Sequence, residues 1–451
     1  MRETLHLARF ASRTRYDDLS PELVAKAKIY VLDNITAGVV GAVQPWARAV
    51  ADLARALGGT EDASVFASPW KTDASRAAWV NGTMIGSFEL EHIGYSSHPS
   101  GTVFPAALAV AERDHRDGRA LLAAMMVGYE VVCRIGQAQT PAVERERGFH
   151  NPAVNGPFGA AAAVGRLLDM DELGLAWALG IAGSSAGGLA EFMWDGAMTK
   201  RLHLGRASQL GLESALLAQR GLTGPSTVLE GRCGFFAAFS PRPALDGLLA
   251  DLGRRWLAEN LVIKMYPCHI TSQPIVHAIQ SFKRGRAIDP ATVRRVTITA
   301  DPRSLEDRYW NREPTTILGA QYSVPYAAAV ALARDVMNPT AFSAEVLDDP
   351  VIRMCAKRIS AVPQGSRGES DADVRGAVTI EMAGATETVP AHDFPGSPSR
   401  PLDFPGVVDK FTRYAAPLIG ASRAAKIVEV VRDLDRLPDV GALAALIGAA
   451  R

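Results

Sequence analysis

Lys264 and His269 lie five residues apart in an apolar, proline-containing stretch that runs from Val262 to Pro274. Both side chains transfer protons, and a lysine taken out of water can have its pKa lowered toward neutrality. The chain has 39 Arg and only nine Lys, so a lysine in this stretch is unlike ordinary surface charge. The alternative is a lysine that extends its amino group to solvent and a histidine that bonds a backbone carbonyl. We treat the pair as candidate acid–base residues.

Three other short segments carry the same residue types. One places His98 before Pro99, the second ends in His150, and the third combines Lys200 with His203. Each precedes an apolar run of helical character, and residues at loop-to-helix junctions can converge on one pocket while the helices hold the geometry. A pocket lined by lysine and histidine is cationic and active in proton transfer. Its expected guest is a small anion that carries carboxylates.

Length and composition limit the classes of protein that fit. A chain of 451 residues exceeds the usual size of one domain and predicts two. The 48 basic residues balance the 48 acidic ones and are scattered, which argues against a nucleic-acid partner. No apolar run approaches the roughly 18 residues that cross a bilayer. The charged N-terminus also lacks the apolar core of a signal peptide.

The cysteines bear on metal binding and on compartment. Cys133, Cys233, Cys268 and Cys355 are far apart and form no C-x-x-C pair, which argues against a zinc ribbon or an iron–sulfur cluster. Dispersed thiols fit a reducing compartment. We therefore expect a cytoplasmic protein without a membrane partner.

The hydrophobic pattern predicts a mainly α fold in two domains. Residues 1–258 read as successive helices, with Ser20 as an N-cap before Pro21 and with Ala- and Gly-rich segments whose axes can approach closely. The helical segments in this part are 121–135, 156–168, 173–182 and 206–219. We predict a large all-helical domain at 1–258, completed by 400–451, and a smaller α+β domain at 259–399.

The α+β character of 259–399 rests on alternating segments. Residues 294–300 alternate like a half-buried strand, and 376–382 with 386–390 predict a hairpin. Helices are expected at 323–334 and 343–358, and exposed loops at 365–373 and at the proline-rich 394–405. The C-terminal helices, expected at 407–414 and 421–434, would return to the helical domain.

A set of ordered motifs supports a family resemblance. In chain order they are Asn81-Gly82, His98-Pro-Ser-Gly101, Gly148-Phe-His150, Lys200-Arg-Leu-His-Leu-Gly205, Gly221-Leu-Thr-Gly-Pro225, Glu230-Gly-Arg-Cys-Gly-Phe235, Ile263-Lys-Met-Tyr-Pro-Cys-His269 and Ala320-Gln-Tyr-Ser-Val-Pro-Tyr326. Each is weak alone, but their order is specific, and from about residue 5 to about residue 440 the chain resembles the MmgE/PrpD family. That family includes 2-methylcitrate dehydratases, cis-aconitate decarboxylases and iminodisuccinate epimerases. The resemblance implies a homodimer and a pocket between an α-helical and an α+β domain that works without a cofactor.

The resemblance also implies a set of site residues. Carried over position by position, they are Glu89, His98, His150, Lys200, Lys264, His269 and Tyr326. Five of these seven were already selected from residue type and spacing, whereas Glu89 and Tyr326 come from the resemblance alone. Lys200, Lys264, His150 and His269 would bind the carboxylates of the substrate, and no metal is expected.

The chain departs from the family pattern in one segment. Glu89 stands where members usually carry Asp, His92 replaces a carboxylate, and the path to His98 is one residue shorter. After His150, the pair Asn151-Pro152 replaces a small or hydroxylated residue. The substrate therefore cannot be carried over from the best-known members.

The leading hypothesis is a cofactor-independent lyase, a dehydratase or decarboxylase, that acts on a small di- or tricarboxylic acid. The lysines and histidines would stabilise the enediolate-like charge that develops beside a carboxylate, with His98, Glu89 and Tyr326 as candidate acid and base. One alternative is an epimerase of a small dicarboxylate such as iminodisuccinate, which needs the same residue types. Others are a metal-dependent enzyme that uses Glu89, Glu91, His92 and His98, and a non-catalytic family member.

Overall fold

The computed structural model describes residues 2–364 and 376–449. Helices dominate, so the predicted mainly α fold is confirmed. The α-helices are α1 (Glu3–Arg13), α2 (Pro21–Ala42), α3 (Pro45–Ala56), α4 (Ala74–Ile85), α5 (Pro99–Arg113), α6 (Gly118–Gln139), α7 (Ala142–Arg145), α8 (Asn151–Leu167), α9 (Glu172–Ser185), α10 (Phe192–Asp195), α11 (Thr199–Gln219), α12 (Phe235–Phe239), α13 (Gln273–Lys283), α14 (Ile317–Tyr322), α15 (Val324–Ala333), α16 (Ala344–Leu347), α17 (Pro350–Lys357), α18 (Phe404–Tyr414), α19 (Ala416–Ile419), α20 (Ala421–Arg432) and α21 (Gly441–Gly448). The strands are β1 (Ala63–Ser64), β2 (Lys71–Thr72), β3 (Val293–Ala300), β4 (Ile359–Pro363), β5 (Ala377–Met382) and β6 (Ala385–Pro390).

The chain forms two compact units. Unit 1 consists of Met1–Ala190, Thr199–Leu261 and Asp403–Arg451, and unit 2 of Glu191–Met198 and Val262–Leu402. The C-terminal helices therefore return to the helical unit, as the sequence predicted. The segment Glu191–Met198, which carries α10, belongs to unit 2, whereas the sequence placed it in the helical domain. The loop expected at 365–373 lies outside the described residues.

Helix starts in unit 1 follow from local capping. Ser20 accepts a hydrogen bond from the backbone N–H of Leu23 at 3.1 Å, and Pro21 occupies the first helical position. Asp117 and Asp171 cap α6 and α9 in the same way. A side-chain oxygen at this position satisfies an N–H that has no partner within the helix. These starts are therefore encoded locally.

Three helices of unit 1 pack backbone against backbone through glycines. A Cβ on Gly82 of α4 would lie 2.6 Å from the carbonyl oxygen of Gly101 in α5 and 2.8 Å from Cα of Gly205 in α11. A Cβ on Gly205 would come within 2.1 Å of the Trp79 carbonyl oxygen. Only glycine fits at such distances. Since α8 also contacts α5 and α11, this packing sets the positions of the first turns of α5, α8 and α11.

Helix α6 corrects one expectation from the sequence. It is long and apolar enough to cross a membrane, and within the described chain it is the one helix that meets both criteria. The most apolar 18-residue stretch of α6 contains Glu130 and Arg134, which form a buried ion pair at 2.5 Å. Because 89% of that stretch is buried in the protein, α6 has the environment of a core helix.

Unit 2 contains a four-stranded sheet with the order β4-β3-β5-β6. Strand β3 and the β5–β6 hairpin confirm the predicted strands, and the hairpin is antiparallel. The sequence missed β4, which pairs in parallel with β3. The helix expected at 343–358 is two helices, because Asp349 caps α17 and Pro350 begins it. The small β1–β2 pair of unit 1 was also missed.

The proline-rich segment 394–405 is only partly the exposed loop that the sequence predicted. Phe394 and Ser397 are buried, and the carbonyl oxygen of Gly396 accepts a hydrogen bond from the N–H of Ile263 at 2.8 Å. Gly396 has φ +100°, and a Cβ there would lie 2.2 Å from the Ile263 carbonyl oxygen. A glycine is needed for this close approach, which anchors the stretch that contains Lys264.

Candidate active site

Four of the predicted site residues lie at helix starts in unit 1 or beside them. His98 is the residue before α5, and His150 is the residue before α8. Lys200 lies in the first turn of α11, and Glu89 lies in the segment that joins α4 to α5. The sequence predicted such junctions for the two histidines and the lysine. Since α5, α8 and α11 pack together, their first turns bring these side chains into one cluster.

Glu89 and Lys200 form a buried ion pair. The Lys200 ammonium donates a hydrogen bond to Oε1 of Glu89, and the two side chains are 2% and 0% exposed. Glu89 has φ +56°, a left-handed conformation that costs a non-glycine residue on the order of 1 kcal/mol. The next helical residue, Arg201, donates to the carbonyl oxygen of Ser87 and stacks over Trp46 at 4.1 Å. Helix α11 therefore fixes the Glu89 segment through two cationic side chains.

The other end of this segment is also strained and held in place. Tyr95 and Ser96 have φ +51° and +53°. The Asn155 side chain of α8 donates to the Ser96 carbonyl oxygen at 2.8 Å, and a Cβ on Gly136 of α6 would lie 2.1 Å from the Tyr95 carbonyl oxygen. Strain of this kind persists only where surrounding contacts enforce it, and it concentrates at functional sites.

A row of three histidines continues the cluster. Nδ1 of His98 lies 2.9 Å from Oε1 of Glu91, which is fully buried, while the His98 side chain is 15% exposed. The rings of His98 and His150 are 6.0 Å apart, edge to face. Nδ1 of His150 lies 3.0 Å from Nδ1 of His203. This contact with Glu91 holds the His98 ring in one orientation.

The cluster keeps two of these histidines neutral. Burial lowers the pKa of His150 well below its usual value, and His203, His98 and Lys200 act in the same direction, whereas Glu89 opposes them. Burial and then Lys200 lower the pKa of His203 to about 4. A neutral imidazole has one nitrogen that donates and one that accepts. At neutral pH each ring is therefore uncharged and offers one N–H donor and one acceptor nitrogen.

A second buried network lies behind the Glu89 segment. Oδ1 of Asp33 accepts from the Lys410 ammonium at 2.6 Å, and Oδ2 contacts Nδ1 of His92 at 2.8 Å. Lys410 also donates to the carbonyl oxygen of Leu90 at 2.8 Å, and Nε2 of His92 contacts the Tyr129 hydroxyl at 2.9 Å. All four side chains are 0% exposed. Helix α18 thus reaches the residue after Glu89 through a charged side chain.

The hypothesis of a metal site receives no geometric support. Glu89, Glu91, His92 and His98 do not converge: Glu91 pairs with His98, Glu89 pairs with a lysine, and His92 belongs to the network behind the segment. Across residues 2–364 and 376–449, no group of three His, Cys, Asp or Glu side chains is arranged to hold a metal ion.

In unit 2 the structure buries both members of the other predicted pair. Lys264 is 1% exposed. His269 precedes the 3₁₀ turn Ile270–Ser272, and its Nδ1 accepts from the N–H of Thr271 at 3.4 Å. Its ring stacks on Tyr309 at 4.8 Å and contacts Tyr322 at 4.6 Å. An acceptor role for Nδ1 leaves the ring hydrogen on Nε2.

Two buried glutamines hold the loop between these residues. Gln273 makes four hydrogen bonds of 2.7–3.1 Å with backbone groups of residues 265–268. The side-chain amide of Gln321 donates to the Pro267 carbonyl oxygen at 3.0 Å, and the backbone carbonyl oxygen of Gln321 accepts from the N–H of His269 at 2.8 Å. A loop with its backbone groups satisfied in this way presents its side chains in fixed positions.

Tyr326 is placed differently from the other candidates. It lies on α15, and its hydroxyl donates to the carbonyl oxygen of Val346 at 2.7 Å. Burial raises its pKa to about 12. The tyrosine rings that contact His269 are those of Tyr309 and Tyr322. A role for Tyr326 in proton transfer stays a prediction.

Several residues of these clusters were not predicted from the sequence. His203 stood in one of the selected segments but outside the predicted site set, although it follows Lys200 by three residues on one helix and shares its face. Lys410 could have been noticed as one of nine lysines in an arginine-rich chain. Asp33, Gln273 and Gln321 carried no signal, since a single polar residue in an apolar helix or loop does not reveal its partner.

Comparison with known proteins places the chain in a family. The family model of the MmgE/PrpD N-terminal domain matches residues 5–247, and that of the MmgE/PrpD C-terminal domain matches residues 266–436. Among similar curated proteins is a cis-aconitate decarboxylase-like protein, oryM, of Aspergillus oryzae, 27% identical over 98% of this chain and 97% of its own length. The cis-aconitate decarboxylases of Homo sapiens and Aspergillus terreus are 26% and 27% identical, over 95% and 98% of this chain and 91% and 95% of their own lengths. The chain belongs to the MmgE/PrpD family.

Proposed function

We propose that this protein is a lyase that removes carbon dioxide or water from a small di- or tricarboxylic acid by acid–base chemistry beside a carboxylate, without a cofactor. The observation that carries the proposal is the buried Glu89–Lys200 pair next to the His98–His150–His203 row. A lysine, a carboxylate and neutral imidazoles in one cluster supply both charge stabilisation and proton transfer. Similarity to proteins named cis-aconitate decarboxylases favours a decarboxylation among the possible reactions.

Lys200 stabilises the negative charge of the reaction. In a decarboxylation, the bond between a carbon and its carboxylate breaks, carbon dioxide leaves, and the electron pair stays on carbon, conjugated with a neighbouring carboxylate. A buried ammonium is worth more to this developing charge than the same group in water, because the surroundings screen it less. In a dehydration the same charge forms when carbon loses a proton.

The histidines move the proton. Carbon gains a proton after carbon dioxide has left, and an imidazole nitrogen of His150 or His98 supplies it. Burial, the neighbouring histidines and Lys200 lower the pKa of His150, so its ring is neutral at physiological pH and carries one N–H and one acceptor nitrogen. Glu91 holds the His98 ring in a fixed orientation.

Lys264 and His269 take part in the same reaction as a second pair. Lys264 is buried and would bind a carboxylate, and His269 carries its hydrogen on Nε2, where it can donate to an oxygen. The hydrogen bonds of Gln273 and Gln321 fix the loop between Lys264 and His269 and so favour a positioned pair.

We further propose a homodimer in the cytoplasm. The four cysteines are far apart in the sequence and form no C-x-x-C pair, in line with a reducing compartment.

A screen of purified protein against citrate-like, aconitate-like and aspartate-like acids in deuterated buffer, followed by NMR, tests this proposal. We expect one class to lose carbon dioxide or water, and Lys200→Met to abolish the reaction. Lys426→Met, which changes an exposed lysine of α20, is the matched control and should leave the rate unchanged. Deuterium exchange at carbon without net conversion would instead support an epimerase. No reaction with any class would overturn the proposal.

A further inference from the structure

The contact between His150 and His203 constrains the hydrogens of both rings. Their Nδ1 atoms are 3.0 Å apart, which is a hydrogen-bond distance. Two neutral imidazoles carry two ring hydrogens on four nitrogens, and one of these must lie between the two Nδ1 atoms. If His203 donates it, His150 carries its own hydrogen on Nε2 and is an acid there. If His150 donates it, Nε2 of His150 is a base.

The surroundings keep the pair in this two-hydrogen state. The charged or titratable groups that act on His150 are His98, Lys200 and Glu89 besides His203, and Lys200 also acts on His203. A lysine cation beside both rings opposes a second positive charge. Both rings therefore stay neutral, and the state of Nε2 on His150 depends on which ring donates.

His203 extends the pair toward the surface. His150 is 2% exposed, whereas His203 is half-buried under the loop at residues 187–189, in which Gly187 and Leu189 are exposed. A Cβ on Gly188, which has φ +153°, would come within 3.4 Å of both Cδ2 and Nε2 of His203. The carbonyl oxygen of Gly188 accepts from the N–H of His150 at 2.9 Å. Gly188 thus lies against the His203 ring and bonds the backbone of His150.

We propose that His203 is the second member of a proton relay that connects His150 to solvent beneath the Gly188 loop. The proposal rests on the function proposed above. When carbon takes the proton from Nε2 of His150, the Nδ1 hydrogen of His203 passes to Nδ1 of His150, and water gives a proton to Nε2 of His203. Both rings end neutral, and carbon has gained one proton that solvent has supplied. After product leaves, water in the emptied site returns the pair to its first arrangement.

Kinetics of His203 variants test the relay. We expect His203→Ala to lower kcat by about 100-fold, the scale of a lost acid–base group, with little change in KM. Added imidazole should restore part of the rate in proportion to its neutral fraction. His203→Gln keeps a hydrogen-bonding side chain but cannot pass a proton, so it should stay as slow as His203→Ala. Wild-type kcat in either the His203→Ala or the His203→Gln variant would overturn the relay. His115→Ala, at an exposed histidine, is the matched control.

An NMR readout separates this inference from the proposed function. With nine histidines in the chain, selective ¹⁵N labelling gives an assignable set of ring signals. We expect one ring proton that couples to Nδ1 of both His150 and His203, and that disappears in His150→Ala and in His203→Ala alike. Absence of this shared proton in the wild type would overturn the relay even if the enzyme turns over. If this shared proton is present but the protein converts no carboxylic acid, the proposed function is wrong, whereas the hydrogen bond between His150 and His203 stands.

Discussion

Replacing Lys410 by methionine removes a positive charge from the centre of the network behind Glu89. The Lys410 ammonium lies 2.6 Å from Oδ1 of Asp33 and 2.8 Å from the carbonyl oxygen of Leu90, and both side chains are fully buried. Methionine fills the volume of the lysine stem but donates no hydrogen bond. The change therefore leaves a buried carboxylate without its cation, and we expect the free energy of unfolding to fall by about 3–5 kcal/mol near neutral pH.

The pH dependence of this loss follows from the pKa of Asp33. Burial alone would raise that pKa, but Lys410 and His92 lower it overall. In the wild type the resulting stability is present above the unfolded pKa of about 3.9 and is lost only as pH falls through the lowered folded pKa. Without Lys410, burial dominates and the folded state holds one extra proton on Asp33 or His92. Stability then falls as pH rises, by about 1.4 kcal/mol per pH unit up to the raised pKa.

Urea unfolding followed by circular dichroism measures this effect. We expect the gap in unfolding free energy between the wild type and Lys410→Met to widen from about pH 5 toward about pH 8. Lys426→Met, at an exposed lysine of the neighbouring helix α20, should track the wild type at every pH. A gap that is constant with pH, or a Lys410→Met protein as stable as the wild type, would show that the Lys410–Asp33 ion pair does not set this stability.

Three further predictions concern the site and the assembly. Glu89→Gln should lower kcat while the affinity for a substrate-like dicarboxylate stays the same or increases, because one negative charge has left the site. Glu89→Asp withdraws the carboxylate by one methylene and should lower kcat on the order of 100-fold; wild-type kinetics in this variant would show that Glu89 takes no part in the reaction. Single substitutions of Lys264 or His269 should each lower kcat by about 100-fold or more, and the double variant should be little slower than the slower single variant. Additive losses, or an active Lys264→Met, would show that the two residues do not act as one functional unit. Light scattering at micromolar concentration should give the mass of a homodimer, and a monomeric mass would contradict it.

The sequence predicted those features that depend on near neighbours. Ser20 and Pro21 fix the start of α2 by local capping, and His98 and His150 each stand before a proline-containing helix start. Alternation predicted the β5–β6 hairpin because its strands are adjacent in the chain. Helix type, approximate ends and the junction positions of the histidines follow from such local rules.

The rest depends on contacts between distant residues. Lys410 and Asp33 are 377 positions apart, and nothing near either residue indicates the other. Strand β4 was missed because its partner β3 is far away and the strand is short. The four bonds of Gln273 arise from a loop conformation that no periodicity encodes. Tyr326 was chosen from its motif, yet the tyrosines that reach His269 are decided by how α14 and the 3₁₀ turn Asp307–Tyr309 fold around it.

We propose that the cluster of Glu89, Lys200, His98 and His150 catalyses a lyase reaction on a small carboxylic acid. Its most direct test is the amount of carbon dioxide or water released per molecule of acid consumed, with carboxyl-labelled cis-aconitate as the first substrate and Lys200→Met as the comparison. We expect one carbon dioxide per molecule consumed by the wild type, or one water with a hydroxylated acid, and none by Lys200→Met. Hydrogen exchange at carbon without release by the wild type, or release by Lys200→Met at the wild-type rate, would contradict the proposed lyase reaction.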